Sequence, residues 1–324
     1  MKKYVAGVDL GGTKILAALA DLQGRIVAEK RVHTVAEEGP GAVIDRIVST
    51  IGEVRRMIPD DGGGPAAIGV GSPGPLDPVS GVVYGSPNLP GWTHVPLKRI
   101  LEEKTGAPVL LDNDANLAAL GEYSFGAGCG SRHMVYVTAS TGIGGGLILD
   151  GRIYRGAGGG AGEVGHMVID PLGPLCGCGR KGCLEALASG TAMAARAREL
   201  VAAGRGRAIL RETGGNPGAI SAASVAGAAA AGDHEAAAII SAAGKYLGIG
   251  MANLINIFNP ERLVIGGGAL GAGELYWEYT EKEIAQRTLK HSLDMVSVVK
   301  AQLEGRSGLL GAVALALESA GCSR

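Results

Sequence analysis

Short apolar runs separated by glycine-rich turns recur along the chain. Val5 to Asp9 reads as a buried strand, Leu10-Gly-Gly-Thr13-Lys14 as a turn, and Ile15 to Ala20 as a second strand; Asp21 to Arg25 turns again before a third strand from Ile26. The same order returns at Met134 to Ala139, Ser140-Thr-Gly-Ile-Gly-Gly-Gly146, Leu147 to Leu149, Asp150-Gly-Arg152 and Ile153-Tyr154, and both copies end their second turn in Gly-Arg-Ile. Such a repeat predicts an α/β fold of two related sheet domains, each offering a glycine-rich hairpin to a shared cleft. Between the copies, Val43, Ile47, Ile51 and Val54 mark a helix over Ala42 to Met57, Ala67 to Val70 and Pro108 to Leu111 read as strands, and a helix runs through Glu122. Farther on, Arg205 to Gly218 reads as a loop and Ala222 to Phe258 as mostly helical, stopping at Asn259-Pro260. A strand at Leu263 to Ile265 and a last helix at Leu309 to Ser319 complete the pattern.

Composition narrows the class of protein. The 324 residues suffice for two domains, and Lys+Arg 30 against Asp+Glu 31 gives no general electrostatic reason to expect nucleic acid or an acidic membrane as partner. No segment reads as an apolar run long enough to span a bilayer, and Asp9 interrupts the first apolar run too early for a signal peptide. Cys129 and Cys322, apart from the other cysteines, fit a reducing compartment, so a cytoplasmic protein is expected.

The other three cysteines form the densest chemical signal. Glu163-Val-Gly-His166 is followed by Cys176-Gly-Cys178-Gly-Arg-Lys-Gly-Cys183-Leu-Glu185. Three thiols and one imidazole, His166, Cys176, Cys178 and Cys183, have the number and type for a tetrahedral, structural zinc site. A disulfide fits poorly, because one residue separates Cys176 from Cys178 and three thiols leave one unpaired. Glu163 and Glu185 are not needed to hold a metal, which points to a second task nearby.

The two hairpins suit phosphate. Backbone N–H groups at Gly11, Gly12, Gly142 and Gly144, with the hydroxyls of Thr13, Ser140 and Thr141, can hold phosphate oxygens, and Asp9 can reach magnesium through water. Gly266-Gly267-Gly268-Ala269 could open a helix whose N–H groups face a nucleotide. A Walker loop is absent, and the glycine spacing of 156–162 lacks the strand and helix that a dinucleotide site requires. Asp112-Asn113-Asp114 closes a strand where open α/β sheets place ligand contacts. Together Asn88, Asn113, Asp114, Glu163, His166 and Glu185 make a polar set suited to a ring of hydroxyl groups, and one carboxylate among them could serve as a general base for phosphoryl transfer.

These motifs resemble those of bacterial glucokinases of the ROK family, in the actin/hexokinase/Hsp70 superfamily. The resemblance runs from Val5 to near the C-terminus. It rests on Asp9-Leu-Gly-Gly-Thr-Lys14, Gly71-Ser-Pro-Gly-Pro75, Pro87-Asn-Leu-Pro-Gly-Trp92, Asn113-Asp-Ala-Asn116, Ser140 to Gly146, the cysteine motif and Val264-Ile-Gly-Gly-Gly268. It implies two ribonuclease-H-like (actin-like ATPase) domains with an interdomain cleft. The small domain would take 1–117, the large one 118–305 with the zinc motif, and the C-terminal helix, 306–324, would pack back on the small domain. It implies glucose and ATP as substrates, magnesium with ATP, and a homodimer or homotetramer. Asp114 would accept the proton of the sugar 6-hydroxyl; Asn88, Asn113, Glu163, His166 and Glu185 would bind sugar hydroxyls; the hairpins, Lys14 included, would hold the phosphates, and Gly266 to Gly268 would line the adenosine side. His166 would bind zinc through one ring nitrogen and face the sugar with the other.

The same residues admit two other readings. The sugar could be N-acetylglucosamine, N-acetylmannosamine, mannose or fructose, and the donor ADP or polyphosphate. The family also contains sugar-sensing repressors, but those carry a helix-turn-helix ahead of the first loop, and here that loop starts at residue 9, so no DNA reader is expected.

Overall fold

The structure, a computed structural model, describes residues 3–58, 63–86, 88–303 and 305–322; Pro87 and residues 323–324, which belong to expected elements, lie outside them. The chain opens with β1 (Tyr4–Leu10), β2 (Lys14–Asp21), β3 (Ile26–His33) and α1 (Gly39–Arg56). It continues through β4 (Ile68–Ser72), β5 (Leu76–Asp77), β6 (Val82–Val83), α2 (Leu97–Thr105), β7 (Val109–Asn113) and α3 (Asp114–Phe125). β8 (Met134–Ala139), β9 (Ile143–Leu149) and β10 (Arg152–Ile153) precede a helical run of α4 (Leu184–Ala188), α5 (Gly190–Ala202), α6 (Arg207–Glu212), α7 (Ala222–Ala230) and α8 (His234–Phe258). Last come β11 (Arg262–Gly266), α9 (Glu274–Arg287), α10 (Lys290–Met295), β12 (Ser297–Lys300) and α11 (Ser307–Ser319).

Two five-stranded sheets result, in the orders β3-β2-β1-β4-β7 and β10-β9-β8-β11-β12. In the first, the β1–β2 and β2–β3 pairs are antiparallel, while β4 runs parallel to both β1 and β7. In the second, β9 and β10 are antiparallel, and β11 lies parallel to β8 and β12. The fold is mixed α/β, its two five-stranded sheets repeat one strand order, and β5 and β6 form a small antiparallel sheet apart from them.

By contacts the chain divides into two units. The first is Met1–Arg132, Gly146–Gly162 and Gln302–Arg324; the second is His133–Gly145 and Glu163–Ala301. These bounds differ from 1–117 and 118–305. The packing of α3 accounts for the difference at residue 117. A Cβ on Gly121 would overlap the Ser307 carbonyl and one on Gly311 the Leu117 carbonyl, so α3 and α11 meet backbone to backbone and stay in one unit. Glu122, fully buried in α3, binds the same stretch: its carboxylate accepts hydrogen bonds from the N–H groups of Ala127, Gln302 and Leu303 at 2.9, 3.1 and 3.0 Å and from Ser307 Oγ at 2.8 Å. Four donors around one buried carboxylate offset its loss of hydration.

Within the first unit, α1 turns Val43, Ile44, Ile47, Ile51 and Val54 into a core with Val8, Leu10, Ile15, Ile68, Val70 and Leu111. On a separate patch, Val313, Ala316 and Leu317 of α11 pack with Val5, Ala20 and Ala67. Apolar side chains of β1 and β2 thus enter more than one core, which explains their near-continuous apolar runs.

The second unit departs from expectation in its helical part. The helix expected over Ala222 to Phe258 is two helices, because Gly232 takes φ 90° and Asp233 caps α8 by accepting from the Ala236 N–H at 2.8 Å. The expected loop from Arg205 contains α6, a six-residue helix that buries Ile209. α8 also corrects the reading that no segment reaches membrane-spanning length: its 25 residues have a mean hydropathy of 1.3 over the apolar window. Twelve of them are buried here, and Gly244 and Gly248 let α9 approach so closely that a Cβ at either would lie 2.5 Å from the carbonyl oxygen of Tyr276 or Thr280. Its apolar character is accounted for by a protein core.

Candidate functional site

Strand register gathers the first unit's polar residues. Asp9 pairs with Gly71, and Gly71 with Asp112, across the parallel strands β1, β4 and β7, while Ser72 pairs with Asn113. Three strands therefore end along one edge, where side chains from successive loops can meet a ligand.

The first hairpin turn is tied at both sides. Gly11 N–H donates to the Lys14 carbonyl at 2.9 Å, the Thr34 hydroxyl to the Gly11 carbonyl at 2.6 Å, and Thr34 N–H to the Thr13 carbonyl at 3.0 Å. Thr34 is fully buried, and no sequence motif marked it. Gly12 abuts the loop that carries Asn88: a Cβ there would lie 2.7 Å from the Asn88 carbonyl oxygen. Asn88 is exposed, as are Thr13 and Asp114. Burial pushes the Asp9 carboxyl above its usual range, against the pull of the Lys14 charge. Gly308 at the start of α11 sits against it, for a Cβ there would be 3.1 Å from Asp9 Oδ1.

The turn from β7 into α3 is built around Asp112, which is 1% exposed. Its Oδ1 accepts from Asn113 N–H at 2.8 Å and Asn116 Nδ2 at 3.0 Å; its Oδ2 accepts from Arg155 Nε and from the Arg155 terminal nitrogen, both at 2.7 Å. Asn113 caps α3, its Oδ1 accepting from Ala115 N–H at 2.9 Å, and Asp114 Oδ1 accepts from the same N–H at 2.8 Å. Asp114 is thereby the first residue of a helix, where the dipole favours negative charge.

The second unit holds the cysteine knot and the other hairpin. His166, Cys176, Cys178 and Cys183 bring their ligand atoms within 4.8 Å of one another. Cys176 Sγ lies 3.7 Å from His166 Nδ1, and Cys178 Sγ 3.6 Å from Cys183 Sγ. Bonds of about 2.3 Å to a tetrahedral zinc would put two sulfurs about 3.8 Å apart, so the four side chains fit the ion. Burial raises the thiols of Cys176 and Cys183, whereas the Arg180 N–H lowers that of Cys178. The other ring nitrogen, His166 Nε2, faces Glu163 Oε2 at 3.9 Å.

Glu185 points two ways. Its Oε2 accepts from Ile143 N–H at 2.9 Å in the hairpin, and its Oε1 lies 3.9 Å from Cys176 Sγ. The hairpin turn is shorter than the glycine run implied: β9 begins at Ile143, so Ser140, Thr141 and Gly142 form the turn and Gly144 lies in the strand. Ser140 N–H donates to the Gly142 carbonyl at 2.8 Å, and Gly190 N–H, the first residue of α5, to the Ser140 carbonyl at 2.8 Å. Gly266 ends β11, Gly267 takes φ 96° against the Ala139 carbonyl, and Gly268 opens a 3-10 turn, Gly268–Ala272, in place of the expected helix. A cavity of about 320 Å³ lies here, lined among others by Ser140, Thr141, Gly190, Thr191, Arg198 and Gly268. Thr191 and Arg198 were not marked by sequence, since neither stands in a glycine motif.

The profile of the ROK family matches residues 5–319. The chain belongs to the ROK family. The glucokinase of Thermotoga maritima is 38% identical to it over 320 residues, covering 99% of each chain. The crystal structure of the ROK hexokinase from Thermus thermophilus superposes with a TM-score of 0.81 at 40% identity, covering 96% of each chain. That of a ROK family glucokinase from Streptomyces griseus, in complex with glucose and AMPPNP, does so with a TM-score of 0.81 at 35% identity, over 97% of this chain and 99% of that one. The ROK fold, of the actin-like ATPase class, is therefore established for this chain.

Proposed function

We propose that this chain is an ATP-dependent glucokinase that phosphorylates the 6-hydroxyl of glucose. The observation that carries the reading is Asp114: an exposed carboxylate at the first residue of α3, on a turn braced by buried Asp112, in a chain matched end to end by the Thermotoga glucokinase. The structure from Streptomyces griseus that contains glucose and AMPPNP supports the choice of sugar and donor.

In this reading Asp114 orients the 6-hydroxyl and takes its proton as the phosphoryl group arrives. Asn88 and Asn113 of the first unit, and Glu163, His166 and Glu185 of the second, hold the other hydroxyls. The turns at Gly11 to Lys14 and Ser140 to Gly142 present N–H and hydroxyl donors to phosphate oxygens, Gly144 lies beside the second turn, and Gly266 to Gly268 border the nucleoside. Asp9, whose carboxyl burial raises against the pull of Lys14, has the chemistry to favour a cation near the phosphates. Magnesium, carried with ATP, would neutralise charge on the phosphoryl oxygens. Zinc on His166, Cys176, Cys178 and Cys183 would be structural, holding Glu163 and Glu185 in place through the knot. The cysteines outside the knot are free thiols, which supports a cytoplasmic setting.

Asp114→Asn tests the reading. It should fold and bind glucose as the wild type does, while kcat falls by about 1,000-fold or more, on the scale of lost base catalysis and positioning. Near-normal turnover would assign the base elsewhere.

A further inference from the structure

The glycine-rich stretch at 156–162 has no part in the proposed function, yet its first flanking residue pairs with the carboxylate that builds the turn of the proposed base. Arg155 follows β10 and reaches Asp112 with two nitrogens, both at 2.7 Å from Oδ2. Asp112 is 1% exposed, while the Arg155 side chain keeps about a third of its surface open to solvent, 35%. The same carboxylate holds the turn from its other oxygen, through Asn113 N–H and Asn116 Nδ2. Behind Arg155 the stretch closes on itself: Ala161 N–H donates to the Arg155 carbonyl at 3.1 Å, and Gly156 takes φ 71° with Ala161 packed against it. Gly159 rests on the chain near β5, since a Cβ there would lie 3.3 Å from Pro78 Cδ and 3.4 Å from the Leu76 carbonyl oxygen. The guanidinium is thus presented from a loop fixed at three points.

We propose that Arg155 is a positioning residue for the phosphoryl-transfer step, acting through Asp112 to fix the turn that carries Asn113 and Asp114. Asp112 can hold two turn donors in one geometry only while its own orientation is set, and the paired nitrogens of Arg155 set it. Without them the carboxylate is a buried charge with no counter-ion, free to rotate or to draw in water, and the first turn of α3 moves with it. An error of about 1 Å in a reacting group can cost about 100-fold in rate, so a small shift is enough. The glycines that follow let the chain turn back and close the loop under Arg155; a dinucleotide has no part in this arrangement.

The inference rests on Asp114 as the base, and the test separates the two. In Arg155→Met, kcat should fall by about 10- to 100-fold while KM for glucose rises by a smaller factor, because the displaced turn carries Asn113 as well as Asp114 but the other proposed sugar contacts do not stand on it. Arg155→Lys should recover part of kcat, since charge returns without the paired geometry. Adding Asp112→Asn to Arg155→Met should lower kcat no further, as expected for two residues that act as one unit. Should Arg155→Met destabilise the fold, Arg155→Lys carries the test alone, with kcat reduced at an unchanged melting temperature. Wild-type kcat in Arg155→Met, or losses in the two positions that multiply, would overturn the positioning role while leaving Asp114 as the base if Asp114→Asn is inactive. Turnover retained in Asp114→Asn would remove both.

Discussion

Asp9 illustrates a residue kept at some expense to stability. Burial raises its carboxyl pKa, so the folded state binds a proton more readily than the unfolded chain. Its contribution is therefore most favourable at pH below the unfolded carboxylate range and is lost as pH rises through the folded value. Asp9→Asn should melt higher than wild type at pH 7.5, with the gap closing as pH falls toward 4, and should lose turnover. Thermal melts across that range check the first part; a higher wild-type melting temperature at pH 7.5 would contradict it. Cys178→Ser should bind less than one equivalent of zinc by elemental analysis and raise KM for glucose, because Cys176 touches both His166 and Glu185. An unchanged KM with the metal lost would uncouple the knot from the sugar. At this scale the sequence was most legible where chemistry is local. The cysteine knot could be read from residue types alone, and the structure assembles it. Thr34, Arg155 and the hold of Glu185 on Ile143 could not, because each is a contact between distant segments that no spacing rule encodes.

Among the elements, the pairing of α3 with α11 does the most to place the site, for α3 begins at Asp114 and α11 begins beside Asp9. Glycines at 121 and 311 let the two backbones touch. Gly311→Ala should therefore destabilise by about 1–3 kcal/mol through overpacking, although alanine is the better helix former. Urea unfolding measures this, and a gain in stability would mean that the helices can part without cost. Apolar periodicity located most strands and the helices α1 and α11, and β1, β2, β8 and α1 lie close to where it put them, whereas α5 and α9 went unread and α7 merged with α8. It failed for α6, too short to show a period, and at Gly144, where glycines needed inside a strand look like a turn. A Cβ at Gly146 would lie 2.6 Å from the Ala119 side chain, so the glycine run serves packing against α3 as well as the turn.

At the scale of the whole molecule, the repeated strand-turn-strand pattern is the most consequential thing the chain displays. It appears in the structure as two sheets with one strand order, hairpin first and parallel strands after. The same order places Asp9 and Asp112 on one edge of the first sheet, and brings Gly267 against Ala139 in the second. Sugar choice is less visible, since the six polar residues assigned to the sugar would serve several hexoses, and discrimination lies in pocket shape. The direct measurement is ADP release with ATP and magnesium over a panel of sugars: glucose, mannose, fructose, N-acetylglucosamine and N-acetylmannosamine. The account predicts the highest kcat/KM on glucose, with glucose 6-phosphate as product. Faster turnover of an N-acetylated sugar or a ketose, or none on any of them in zinc-loaded protein, would contradict it.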